Sequence, residues 1–174
     1  MKLVELIGRE LEWKQPNALR KEYELRDGEA LVANLSFRSA FGSFATGESG
    51  DGVWTFKRVG FWQPRATVRT SGSEAELAVF RNNTWRDGGT LELPDGRKFP
   101  ADTNFWKTRY EFRTDANEPL ISFRKIGGML HLSAGVTIHP VMRGVKDLPW
   151  LALFGWYLTV LMYEDSAAIA AAAT

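Results

Sequence analysis

Four cations, Lys57, Arg58, Arg65 and Arg69, fall within residues 54–69, a stretch that holds no acidic residue. Trp54, Phe61 and Trp62 are interleaved with them. Cationic side chains beside aromatic rings suit an anionic ligand held at an interface, such as a lipid head group or a phosphorylated small molecule. The competing explanation is structural, because cations on the wet face of edge strands discourage sheet-to-sheet aggregation. Lys107, Arg109 and Arg113, with Glu111 among them, form a second basic group. Alternating strands ordinarily carry such charges on their solvated face.

Other chemistry is sparse. His131 and His139 lie eight residues apart on one expected strand face. A straight strand would separate them by about 26 Å, too far to share a metal, and both read as surface residues. Asp102, Glu111, Asp115, Glu164 and Asp165 are the acids available for catalysis, and none sits in an acid–base pattern. No G-x-S-x-G element is present. The glycine-rich stretch at residues 47–52 lacks the Lys-Ser/Thr of a phosphate loop and reads as a hairpin turn. There is no cysteine, hence no disulfide, thiol nucleophile or thiolate metal site. The expectation is no catalytic residue, no metal and no cofactor.

The elements that position these residues are short strands. Asp27-Gly28, Gly50-Asp51-Gly52, Ser71-Gly72, Asp87-Gly88-Gly89, Asp95-Gly96 and Gly127-Gly128 punctuate the first 140 residues. Asp27-Gly28 and Asp95-Gly96 are hairpin turns by type. Residues 105–113 alternate Trp106, Thr108, Tyr110 and Phe112 with Lys107, Arg109, Glu111 and Arg113. Residues 130–138 alternate Leu130, Leu132, Ala134, Val136 and Ile138 with polar or small neighbours. Period-2 alternation places one face of each strand inward, as in an antiparallel sheet, and roughly ten to twelve such strands can be traced.

Residues 150–163, WLALFGWYLTVLMY, are apolar on every side. Asp147 and Pro149 suit the start of a helix there, with Asp147 as N-cap. Such a helix spans about 21 Å, short of the roughly 30 Å hydrocarbon core of a bilayer. Glu164 and Asp165 follow at once, where a longer span would have to bury them at a cost of about 2.5–3.5 kcal/mol each. The core helix is therefore expected at about residues 148–165, filling the lumen of a barrel rather than a membrane. The alanine-rich tail, 166–174, either extends that helix as an arm or frays.

Length, 174 residues with 44% hydrophobic and 25% charged, suits one domain over residues 1–174. A net charge of +1 argues against a nucleic-acid partner. The start, MKLVELIGRE, lacks the apolar core of a signal peptide, so a cytoplasmic location is expected.

This layout resembles the tubby-like C-terminal superfamily, which includes the LURP-one-related proteins and the phospholipid scramblases. Phe41-Gly42-Ser43, the run from Trp54 to Arg58, Gly60-Phe61-Trp62 and Gly155-Trp156-Tyr157-Leu158 with Asp165 and its alanines are similar to uncharacterised bacterial members. The resemblance implies a closed antiparallel β-barrel of about twelve strands wrapped around one hydrophobic C-terminal helix. It carries over no site residue. The expected function is a non-enzymatic binding or scaffold module, peripheral at a membrane or free of it, that meets an anionic phospholipid surface or a protein partner at the barrel exterior. The alternatives are a membrane protein anchored by residues 150–163, or a small-molecule enzyme without a recognisable motif.

Overall fold

The computed structural model describes residues 1–60, 64–83 and 88–174. Phe61, Trp62 and Asp87, which figure in the expectations above, lie outside the described residues. Twelve antiparallel strands close into one barrel in meander order, with β1 pairing both β2 and β12. They are β1 (Glu10–Lys14), β2 (Glu22–Asp27), β3 (Ala30–Phe37), β4 (Ala45–Ser49), β5 (Gly52–Val59) and β6 (Arg65–Thr70). The second half comprises β7 (Glu76–Asn82), β8 (Gly88–Glu92), β9 (Lys98–Thr103), β10 (Arg109–Arg113), β11 (Pro119–Gly127) and β12 (Ser133–Ile138). One helix, α1 (Leu148–Ala172), follows.

Closure removes both sheet edges, so the barrel's problem is its lumen. The helix solves it. From Trp150 through Leu161 every residue of α1 is buried, on all sides of the helix. Inward strand residues such as Leu25, Leu35, Phe56, Val68, Phe112 and Phe123 join it in one apolar cluster. Gly155 and Gly47 mark the closest approaches. A Cβ on Gly155 would stand 2.6 Å from the Phe123 ring, and one on Gly47 would stand 2.6 Å from Leu153 Cδ2. Buried polar groups are answered locally: Thr159 Oγ1 donates to the Gly155 carbonyl at 2.8 Å, and Tyr157 donates its hydroxyl to the Ser43 carbonyl at 2.8 Å. No helix among the described residues is long and apolar enough to cross a membrane.

Several expectations need correction. Asp147 is the N-cap residue, but its side chain makes no cap hydrogen bond. The carboxylate instead pairs with Arg97 at 2.7 Å, tying the start of α1 to the β8–β9 turn. The strand expected over residues 105–113 begins only at Arg109. Asn104 Oδ1 accepts from the Thr108 and Arg109 amides at 2.9 Å each, which folds 104–108 into a turn and leaves Phe105 and Trp106 exposed. The strand expected over 130–138 likewise starts at Ser133, and Leu130 is exposed. The helix also runs beyond residue 165, to Ala172, in agreement with the helix propensity of alanine.

Candidate functional site

The four cations of the basic stretch divide between two faces. On β5, Trp54 and Phe56 are buried and Lys57 is exposed, so alternation assigns Lys57 to the outside and Arg58 to the inside. On β6, Ala66 and Val68 are buried against the core, which assigns Arg65 and Arg69 to the outside. Pairing of Lys57 with Thr67 and of Val59 with Arg65 brings Lys57, Arg65 and Arg69 onto one outer wall. Arg58 points toward the barrel mouth instead, where it meets Asp165 of α1 at 2.7 Å.

A groove of about 370 Å³ runs along that outer wall, lined among others by Lys57, Arg65, Thr67, Arg69, Glu74 and Glu76. The stretch is free of acid in sequence, but folding supplies two. Arg69 reaches Glu74 at 2.7 Å and Glu76 at 3.4 Å. Lys57 and Arg65 make no ion pair among the described residues. The groove thus holds two cations without an ion pair among the described residues, Arg65 toward the mouth and Lys57 opposite Thr67, and a neutralised one, Arg69, beyond them.

A second cavity, about 180 Å³, opens where α1 leaves the barrel. Phe80, Tyr110, Leu158 and Leu161 supply apolar wall, while Arg58, Arg65, Lys107 and Asp165 also line it. Arg65 therefore borders both spaces. Burial, then the Asp102 charge, pushes the Tyr110 phenol well above its ordinary range, so it keeps its proton and cannot act as a base. The helix is pinned at this mouth by Lys21, which pairs with Glu164 at 2.7 Å, and by the Arg58–Asp165 pair.

The second basic group does not form a wet face as expected. Glu111 is buried, and on the outer side of β10–β12 it accepts a short hydrogen bond from Ser122 Oγ. Ser122 Oγ also lies 2.8 Å from His139 Nε2, and Arg113 reaches Glu111 at 2.5 Å. His139 is consequently half-buried rather than a surface residue, and it follows β12 rather than lying on it. His131 lies in the β11–β12 loop, with Nδ1 2.8 Å from the Gln15 carbonyl.

Glutamate, serine and histidine in contact invite comparison with a hydrolytic triad. The order is wrong for one. Nucleophile activation needs the imidazole between hydroxyl and carboxylate. Here the serine is central and fully buried, and its single proton goes to Glu111. His139 Nε2 must then donate to Ser122, which fixes the neutral tautomer as Nε2–H. Burial, reinforced by Arg124 and opposed by Glu111, lowers the His139 pKa from its ordinary 6.5. The constellation ties β10 and β11 to the residue that follows β12. The sequence could not show it, since the residues are 11 and 17 positions apart and meet only through strand register.

No family profile matches the chain, and no curated protein matches it. Among solved structures, it is similar to the X-ray structure of the Arabidopsis thaliana protein AT5G01750, with a TM-score of 0.52 over 84% of this chain and 91% of that one. The two chains share a fold. Identity over the match is 11%, so the likeness speaks to architecture alone. Within such a barrel, the lumen that could have held a ligand is occupied by the chain's own helix. The two cavities described above open at the outer wall and at the mouth.

Proposed function

We propose that this protein is a non-enzymatic binding module that recognises an anionic lipid head group at the β5–β6 wall. One observation carries the reading: Lys57 and Arg65 stand beside an outer groove with no ion-pair partner among the described residues, while Arg69 in the same groove is neutralised by Glu74 and Glu76. Unpaired cations at a concave site are what an anion with several acceptor oxygens would complete. The apolar-walled mouth beside Arg65 supports an amphipathic ligand over a free anion. The buried, reversed order of Glu111, Ser122 and His139 supports binding over hydrolysis.

Vesicle co-sedimentation tests the reading. The protein should pellet with phosphatidylserine-containing vesicles and much less with phosphatidylcholine alone, and Lys57→Glu with Arg65→Glu should abolish the difference. Equal binding to both vesicle types, or no effect of the double charge reversal, would overturn it.

A further inference from the structure

Meander order sends alternate hairpin loops to opposite rims of the barrel. The rim at which α1 emerges receives the β1–β2, β3–β4, β9–β10 and β11–β12 loops, besides two whose residues are only partly described. Each of the four carries a large apolar side chain in solvent: Leu19, Phe41, Phe105 with Trp106, and Met129 with Leu130. Their exposures run from 74% to 103%. The four hairpins are neighbours around the barrel, so the tips ring much of the rim.

Charge follows the same division. Residues 15–21, 38–44, 104–108 and 128–132 include Arg20, Lys21, Arg38 and Lys107 and no acid. At the opposite rim the five hairpin loops hold Glu29, Asp51, Glu74, Asp95, Asp115 and Glu118 against one cation, Arg97, while residues 1–9 and 139–147 on that side add Lys2, Arg9, Arg143 and Lys146 with Glu5 and Asp147. None of those five loops exposes a large apolar side chain; the exposed apolar residues of that side are Met1, Val4, Leu31 and Val141. Two acids do reach the apolar rim on α1, Glu164 and Asp165, and both are bound, to Lys21 and Arg58, so Lys21 is itself neutralised, and Arg20 lies 3.8 Å from Glu22 at the start of β2. Beyond them the helix continues outward through Ser166, alanines and an exposed Ile169 without a charged side chain.

We infer that the helix-exit rim docks on an anionic bilayer surface, with its loop tips entering the boundary between head groups and acyl chains. Apolar tips flanked by cations match the layering of that surface, where a plane of anionic groups overlies hydrocarbon. Tryptophan at a tip suits the interfacial zone. A protein partner would have to present a separate socket for each tip and for the protruding helix, whereas a bilayer takes apolar tips and the uncharged end of α1 without shape matching. The mouth cavity and Arg65 lie at this rim, so docking would bring a head group to the site described above. The inference rests on that reading of an anionic lipid ligand.

Vesicle flotation of the full chain separates the two claims. Phe41→Ser with Trp106→Ser, and Met129→Ser with Leu130→Ser, change exposed tips and should leave the melting curve unchanged. Each pair should weaken partition onto phosphatidylserine-containing vesicles about tenfold or more, given that 1.4 kcal/mol is tenfold. Val4→Ser with Leu31→Ser, at the other side, should have no effect. If the tip variants float like wild type while the Lys57–Arg65 reversal does not, rim docking is wrong and the head-group reading stands. Loss on the tip variants with no effect of the charge reversal supports the rim and removes the wall site. Absence of wild-type flotation defeats both. Tip-dependent self-association without flotation would show that the rim is instead an interface between copies.

Discussion

Trp13 of β1 lies flat against Trp156 of α1, with ring centroids 5.6 Å apart and 4° between the planes. Both rings are fully buried, and neither indole N–H has a hydrogen-bond partner among the described residues. The barrel thus accepts two unsatisfied donors to gain one of its largest wall-to-helix contacts. Trp13→Ala should cost about 3–5 kcal/mol, as for other buried aromatic truncations. Trp13→Phe should cost clearly less, because it also removes an unpaired N–H. Urea denaturation of both variants measures the difference.

Leu153 faces β4 within the buried span of α1 and is fully buried. Leu153→Asp places an unpaired carboxylate there, at a cost of several kcal/mol, comparable with the whole stability of a domain. Insoluble or unfolded material is expected. Leu158 borders the mouth cavity near Arg58 and Arg65, so Leu158→Asp should be milder. Thermal melting of the two variants ranks them.

Gly155→Ala sets two effects against each other. Alanine gains about 1 kcal/mol in helix propensity, while a Cβ 2.6 Å from a buried phenylalanine ring overpacks the core by about 1–3 kcal/mol. Net destabilisation is expected. Gly135→Ala, whose Cβ would meet nothing closer than 3.8 Å, is the matched control and should be nearly neutral. A gain in stability for Gly155→Ala would contradict the packing described.

The Glu111–Ser122–His139 clamp predicts a pH dependence. His139 in the folded chain has a pKa below its ordinary 6.5. As pH falls below 6.5, the unfolded chain takes up a proton that the folded chain resists, so this group's contribution is full above that pH and is lost on the way down to the folded pKa. His139→Gln should flatten that limb of the stability curve. Ser122→Ala leaves Glu111 short of a donor and should cost about 1–3 kcal/mol. Urea midpoints at about pH 7 and pH 5 check both expectations.

The chain advertises its barrel through local signals. Asp27-Gly28 and Asp95-Gly96 mark turns, with Gly28 at φ +58° and Gly96 at φ +89°, and the all-round apolar run at 150–163 covers the buried span of α1, 150–161, and overshoots it by Met162 and Tyr163. What it hides is set by contacts between distant segments. Trp106 continues the inward alternation of β10 in sequence, but Asn104 turns the backbone and leaves it and Phe105 in solvent. Glu111 reads as a wet-face charge until Ser122 and Arg113 enclose it. The stretch at 54–69 holds no acid, but Asp165 returns to Arg58 from 107 residues away. Leu19, Phe41 and Met129 look unrelated until the meander brings their loops to one rim.

The barrel is closed and filled only if the hydrophobic helix resides in its lumen. Amide hydrogen exchange of the intact protein, with and without phosphatidylserine-containing vesicles, measures this directly. The amides of residues 150–161 should be among the slowest to exchange in both conditions, opening only with global unfolding. Rapid exchange there in solution, with protection gained only on adding vesicles, would place the helix in lipid and contradict the plugged barrel.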